Sequence, residues 1–106
     1  MDGDQAMEMN LSALSTEYVR VTATTRAAGS VITPAAPPRF AFLPTATSPT
    51  EEDWLLGEWS DRWARILIGP EGGTAVLEPG DHHVWLSWTA GAETPVYRCP
   101  GLLRVY

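Results

Sequence analysis

Few residues in this chain of 106 have the right types and spacing for chemistry. The histidines meet once, at Asp81-His82-His83, and a metal site there would need a third ligand such as Glu78 or Asp81. Neighbouring residues of a strand point to opposite faces, so two adjacent imidazoles do not chelate one ion, and no metal site is expected. Glu51, Glu52, Asp53, Glu58 and Asp61 form an acidic neighbourhood that could supply paired carboxylates for acid-base work or oxygen ligands for calcium. Its spacing matches no calcium loop, and a solvated charged loop explains it. Cys99, the single cysteine, sits inside an apolar strand, and no Gly-x-Ser-x-Gly elbow occurs, so no apparatus for nucleophilic catalysis is visible. Gly69-Pro70-Glu71-Gly72-Gly73 lacks the Lys and Ser/Thr of a phosphate loop and reads as a hairpin turn. Asn10-Leu11-Ser12 has the form of a glycosylation sequon, but no secretion signal accompanies it. No catalytic residue and no cofactor is therefore expected, and the chain reads as a non-enzyme.

The tryptophans carry more weight. Trp54, Trp59, Trp63, Trp85 and Trp88 hold more apolar area than one small core needs. One or two belong in the core, whereas Trp54, Trp59 and Trp63, around an irregular loop, are candidates for partner binding, since interfaces favour aromatic anchors.

These residues must be positioned by one modest core, because the length suits a single domain. The formal charge of -6 opposes binding to nucleic acid, and all seven basic residues are arginines scattered singly. The absence of lysine points to a GC-rich genome, hence an actinobacterial host or its virus. No apolar run reaches membrane-spanning length, so the expected product is made in the cytoplasm without membrane contact. With one cysteine, no disulfide within the chain can staple the fold.

Residues 1–16 lack a sustained period and read as an N-terminal arm outside the core, with Met7, Met9, Leu11 and Leu14 as its partner-binding side chains. From Tyr18 the alternation of Val19, Val21 and Ala23 with Arg20, Thr22 and Thr24 predicts a half-buried strand to Thr25. A turn over Ala27-Ala28-Gly29-Ser30, an edge piece at Val31 to Thr33 and a Pro-rich stretch at 34–38 follow. Further strands are expected at Arg39 to Leu43, Leu55 to Trp59, Trp63 to Ile68, Thr74 to Leu77 and His83 to Ala90. A last one at Val96 to Tyr106 is bent near Pro100-Gly101, and Thr50-Glu51-Glu52-Asp53 fits equally a single helical turn capped by Thr50 or a loop. About seven short antiparallel strands over residues 17–106 predict an all-β, immunoglobulin-like sandwich.

The run from Gly72-Gly73-Thr74 through Glu78-Pro79-Gly80, Val84-Trp85-Leu86-Ser87-Trp88, Glu93-Thr94-Pro95-Val96 and Gly101-Leu102-Leu103-Arg104-Val105-Tyr106 resembles small Ig-like structural proteins of tailed phages and prophages of actinobacteria. Glu17-Tyr18-Val19-Arg20-Val21 and Phe40-Ala41-Phe42-Leu43-Pro44 are similar to that group as well. The resemblance implies a virion protein, repeated in a symmetric homo-oligomer and contacting portal or neck, tail or major capsid proteins. It favours the head-to-tail neck over capsid decoration. It also implies a tyrosine corner at Leu77-Glu78-Pro79-Gly80, where this chain has His82 in place of the tyrosine. The alternative from another class is a stand-alone module that grips a carbohydrate or peptide through exposed tryptophans.

Overall fold

A computed structural model describes residues 7–22, 25–27, 30–32, 34–61 and 63–106. The described chain is all-β, two sheets packed as a sandwich. In order, the strands are β1 (Met7–Leu11), β2 (Glu17–Thr22), β3 (Thr25–Ala27), β4 (Ser30–Ile32), β5 (Arg39–Leu43), β6 (Leu55–Leu56), β7 (Glu58–Ser60), β8 (Trp63–Ile68), β9 (Gly80–Ser87), β10 (Val96–Arg98) and β11 (Gly101–Val105). The first sheet has the order β1-β11-β9-β5-β6, with β10 also on β9, and the second has β2-β8-β7. β3 and β4 form a separate antiparallel pair.

Period-2 alternation decides which face of each strand is buried. On β8, Ala64, Ile66 and Ile68 are sealed from solvent, as are Val84 and Leu86 on β9 and Phe40 on β5. Val19, Leu103 and Val105 complete the layer between the sheets. Each fully buried side chain of this size contributes about 1.5–3 kcal/mol, and no disulfide shares the task.

Several expected boundaries shift for identifiable reasons. The stretch expected to stand off as an arm instead supplies β1, which runs parallel to β11 with Leu11 opposite Val105. Leu11 is 5% exposed and belongs to the core, so residues 7–11 are part of the sandwich. Residues 1–6 of that stretch lie outside the described residues. This pairing also departs from the all-antiparallel expectation. The first expected strand spans Glu17–Thr22, and its continuation, Ala23 and Thr24, lies outside the described residues. Thr74 to Leu77 is not a strand. Only Ala75 bridges to Ile68, because Thr74 N–H and the Ala75 carbonyl are spent closing the 69–73 turn onto Leu67 and Gly69. Strand β9 starts earlier than expected, at Gly80, and ends at Ser87, before the tight Ala90–Glu93 turn.

The last expected strand splits at Cys99-Pro100, where the pairing offset against β9 moves from Arg98 opposite Trp85 to Leu103 opposite His82. Proline offers no N–H to the ladder, and Gly101 takes a φ of 81°, so the chain bulges and resumes.

Leu55 to Trp59 also splits, at Gly57. Here the chain leaves β6 on the first sheet and enters β7 on the second, and the Gly57 N–H donates to the Pro38 carbonyl. A Cβ at Gly57 would lie 2.6 Å from the Arg65 carbonyl oxygen and 2.7 Å from Cε1 of fully buried Phe40. Neither wall can retreat without opening the core. Gly57→Ala is expected to destabilise the fold by about 1–3 kcal/mol, the usual cost of overpacking, read as a lowered urea midpoint at unchanged m-value.

Candidate functional site

The corner before β9 is built from Leu77-Glu78-Pro79-Gly80-Asp81-His82. Gly80 has a φ of 133°, which a side-chain-bearing residue rarely adopts, and this turns the chain into β9. His82 then faces inward, 8% exposed, with Nε2 2.7 Å from the Glu78 carbonyl oxygen. The acceptor is a carbonyl, so Nε2 carries the proton and donates, the part a phenol plays in a tyrosine corner. Nδ1 is buried and, among the described residues, has no hydrogen-bond partner. On the outer face beside it, Arg104 Nε donates to Asp81 Oδ1 at 2.9 Å, pairing the residues that the ladder sets opposite each other. That hydrogen bond holds the Asp81 carboxyl below its ordinary value.

A second feature is an aromatic ladder at one end of the sandwich. Trp59, on the inner face of β7, meets Trp88 edge to face with centroids 6.0 Å apart, and Trp88 stacks on Tyr97 at 5.6 Å. Trp88 is buried and Tyr97 is 56% exposed, so the ladder runs from core to surface. The Trp59 indole N–H donates to the Ala36 carbonyl at 2.9 Å, tying the Pro-rich segment to β7.

The third feature is the outer face of the β2-β8-β7 sheet. The register places Arg20 opposite Arg65 and Arg65 opposite Glu58. The Arg65 guanidinium carbon lies 4.2 Å from the Tyr18 ring centroid, and Arg65 Nε donates to Glu58 Oε1 at 3.1 Å. Arg20 approaches the same ring at 5.8 Å. Beside them is an open groove of about 300 Å³ lined by Tyr18, Leu56, Glu58, Arg65, Leu67 and Thr74.

The residues expected to bind partners are dispersed. Of the arm set, Leu11 is in the core and Met9 packs against it, which corrects their reading as free contact residues. Leu14, in the turn after β1, is 88% exposed. The Met7 side chain lies outside the described residues. Trp54 is half-buried with the Arg39 guanidinium 5.0 Å from its ring, Trp59 is engaged in the ladder, and Trp63 is 44% exposed. Alternation in β2 does place Tyr18 and Arg20 on one face. Their meeting with Arg65 depends on a cross-strand register that a linear pattern does not carry.

The acidic neighbourhood is likewise divided. Asp53 Oδ2 accepts from the Thr50 N–H at 2.8 Å and from its hydroxyl at 3.0 Å, fixing the single 3-10 turn Glu51–Asp53. Glu51 lies 4.0 Å from Arg39, and Glu58 pairs with Arg65. Among the described residues no three His, Cys, Asp or Glu side chains converge as a metal site would require. No described helix is long and apolar enough to cross a membrane. Burial pushes the Cys99 thiol up to about 11 from its ordinary 9.0. No protein-family model matches the chain, and no match was found among curated proteins or solved structures.

Two outcomes are expected from these geometries. His82→Ala removes both a buried ring and the bond to Glu78, and lowers stability by roughly 2–4 kcal/mol in urea unfolding; His82→Tyr, which keeps a donor, loses less. For Cys99, the folded thiol holds its proton after the unfolded one has released it. Its contribution is therefore complete below about pH 9 and is lost as the pH rises towards about 11. A Cys99→Ala variant, compared with the parent across that window, lacks this component of the decline.

Proposed function

We propose that this chain is a non-enzymatic structural protein of a tailed-phage virion, making protein-protein contacts at the head-to-tail neck. The observation that carries the reading is the strand order, which supports the immunoglobulin-like form of sandwich. In that form strands B, E and D make one sheet and G, F and C the other. Taking β2, β5, β7, β8, β9 and β11 as B, C, D, E, F and G gives B-E-D as β2-β8-β7 and G-F-C as β11-β9-β5. The corner at His82 falls at the start of strand F, where such domains carry their tyrosine. Such a sandwich is what the resemblance to small virion proteins leads one to expect.

The state of the reactive groups favours a structural role as well. Cys99 is buried and protonated, His82 is tied to backbone, and Glu58 and Asp81 pair with arginines. Protein partners are favoured over sugars because Trp63 alone of the tryptophans is well exposed, so no platform of several indoles is presented. Exposed Val96 and Tyr97 on β10, with Leu14 and Leu56 elsewhere, offer apolar contact points of the size protein interfaces use.

Mass spectrometry of purified particles from the encoding phage or induced prophage is expected to find this chain, cross-linked to portal or neck proteins. Cross-links to the major capsid protein alone would move it to the capsid surface, and its absence from particles would refute the virion role.

A further inference from the structure

We infer that the outer face of the β2-β8-β7 sheet is the docking site for the acidic turn, Thr50–Asp53, of a second copy of this chain. The inference rests on reading the chain as an assembly module and names the contact that would build the assembly.

The receiving face gathers positive charge on an otherwise acidic protein of net charge -6. Arg20 and Arg65 sit directly opposite each other across β2 and β8, flanking the Tyr18 ring. Like charges so placed repel, and Glu58 answers only one of them, Arg65. Arg20 is exposed and, among the described residues, has no carboxylate partner. A planar guanidinium with its fork open to solvent fits a carboxylate in bidentate fashion. Next to the pair, the groove of about 300 Å³ is lined by Leu56 and Leu67 together with Tyr18, Thr74 and the Arg65–Glu58 ion pair.

The turn is the complementary shape. Glu51 and Glu52 are consecutive and exposed, and the bonds between Asp53 and Thr50 hold their backbone in place. Two carboxylates are thus presented with little ordering left to lose on docking. Glu51 has only a distant contact to Arg39, at 4.0 Å, with its side chain 86% exposed. Glu52 is in no ion pair among the described residues.

A chain does not satisfy its own site. Within one chain the turn is engaged elsewhere: Glu51 approaches Arg39, whose cross-strand partner Leu56 stands where the first sheet meets the groove. The contact therefore joins two different surfaces of two copies, and repetition of such a contact closes into a ring when the rotation permits.

The experiment is sedimentation velocity on the full chain at about 0.02 M and about 0.5 M salt, where screening lengths differ several-fold. The parent is expected to self-associate at low salt and to dissociate at high salt. Arg20→Glu, and separately Glu51→Lys with Glu52→Lys, are each expected to weaken association at least roughly tenfold, with circular dichroism unchanged. An equimolar mixture of the two variants is expected to regain it, since the intact turn of one meets the intact arginine face of the other. A parent that stays monomeric at low salt, variants that associate like the parent, or a mixture that does not recover would each overturn the inference. The neck reading fails on a different observation, absence of the chain from particles, so the two are separable.

Discussion

The rest of the structure depends on two sheets being pressed together by apolar side chains with no covalent link between them. β8 supplies Ala64, Ile66 and Ile68 from one side, and β9 and β5 supply Val84, Leu86 and Phe40 from the other. Every other feature attaches to that seam. The corner at His82 is held because its ring lies within the seam, and the aromatic ladder is the seam's open end. The Arg20, Tyr18 and Arg65 face is the reverse side of the strands whose inward residues close it. A small sandwich of this kind leaves little freedom at the points where chain crosses between layers. That is why Gly57, at the passage from β6 to β7, is pinned between a carbonyl and the Phe40 ring.

How much of this could be read from the sequence depends on the range of the force involved. Alternation is local, so Arg39–Leu43 and Trp63–Ile68 follow directly from their own residues. The Thr50 to Asp53 turn and the break at Pro100-Gly101 are equally local, set by a cap and by a missing N–H. The segment Met7–Leu11 was illegible for the opposite reason. Its partner, β11, lies more than ninety positions away, and its few apolar residues gain meaning only when Leu11 meets the core beside Val105. Thr74 to Leu77 looks like a strand by composition but lacks a neighbour along which to pair.

The candidate surfaces divide in the same way. Abundance of tryptophan marks where apolar area is concentrated, yet it cannot say which indoles are spent internally. Trp88 is buried by Trp59 and Tyr97, whereas Trp63 is left exposed at a hairpin. The hairpin's tightness is visible in Asp61, which takes a φ of 62° to bring Ser60 opposite Trp63. The arginine face is the clearest case of information that register creates: Arg20 and Arg65 are unremarkable singly and become a charged pair only when β2 and β8 are aligned.

The parallel pairing of β1 with β11 has a mechanical meaning. Because the two strands run in the same direction, tension applied through the start of β1 and the end of β11 pulls them past each other along their shared axis. The hydrogen bonds of the ladder are then loaded together in shear, rather than opened one at a time as when a hairpin is peeled apart from its tip. The five paired positions from Met7 and Gly101 to Leu11 and Val105 thus act as a clamp against stretching. A sandwich closed in this way can pass force through its body while the core behind the clamp stays shut.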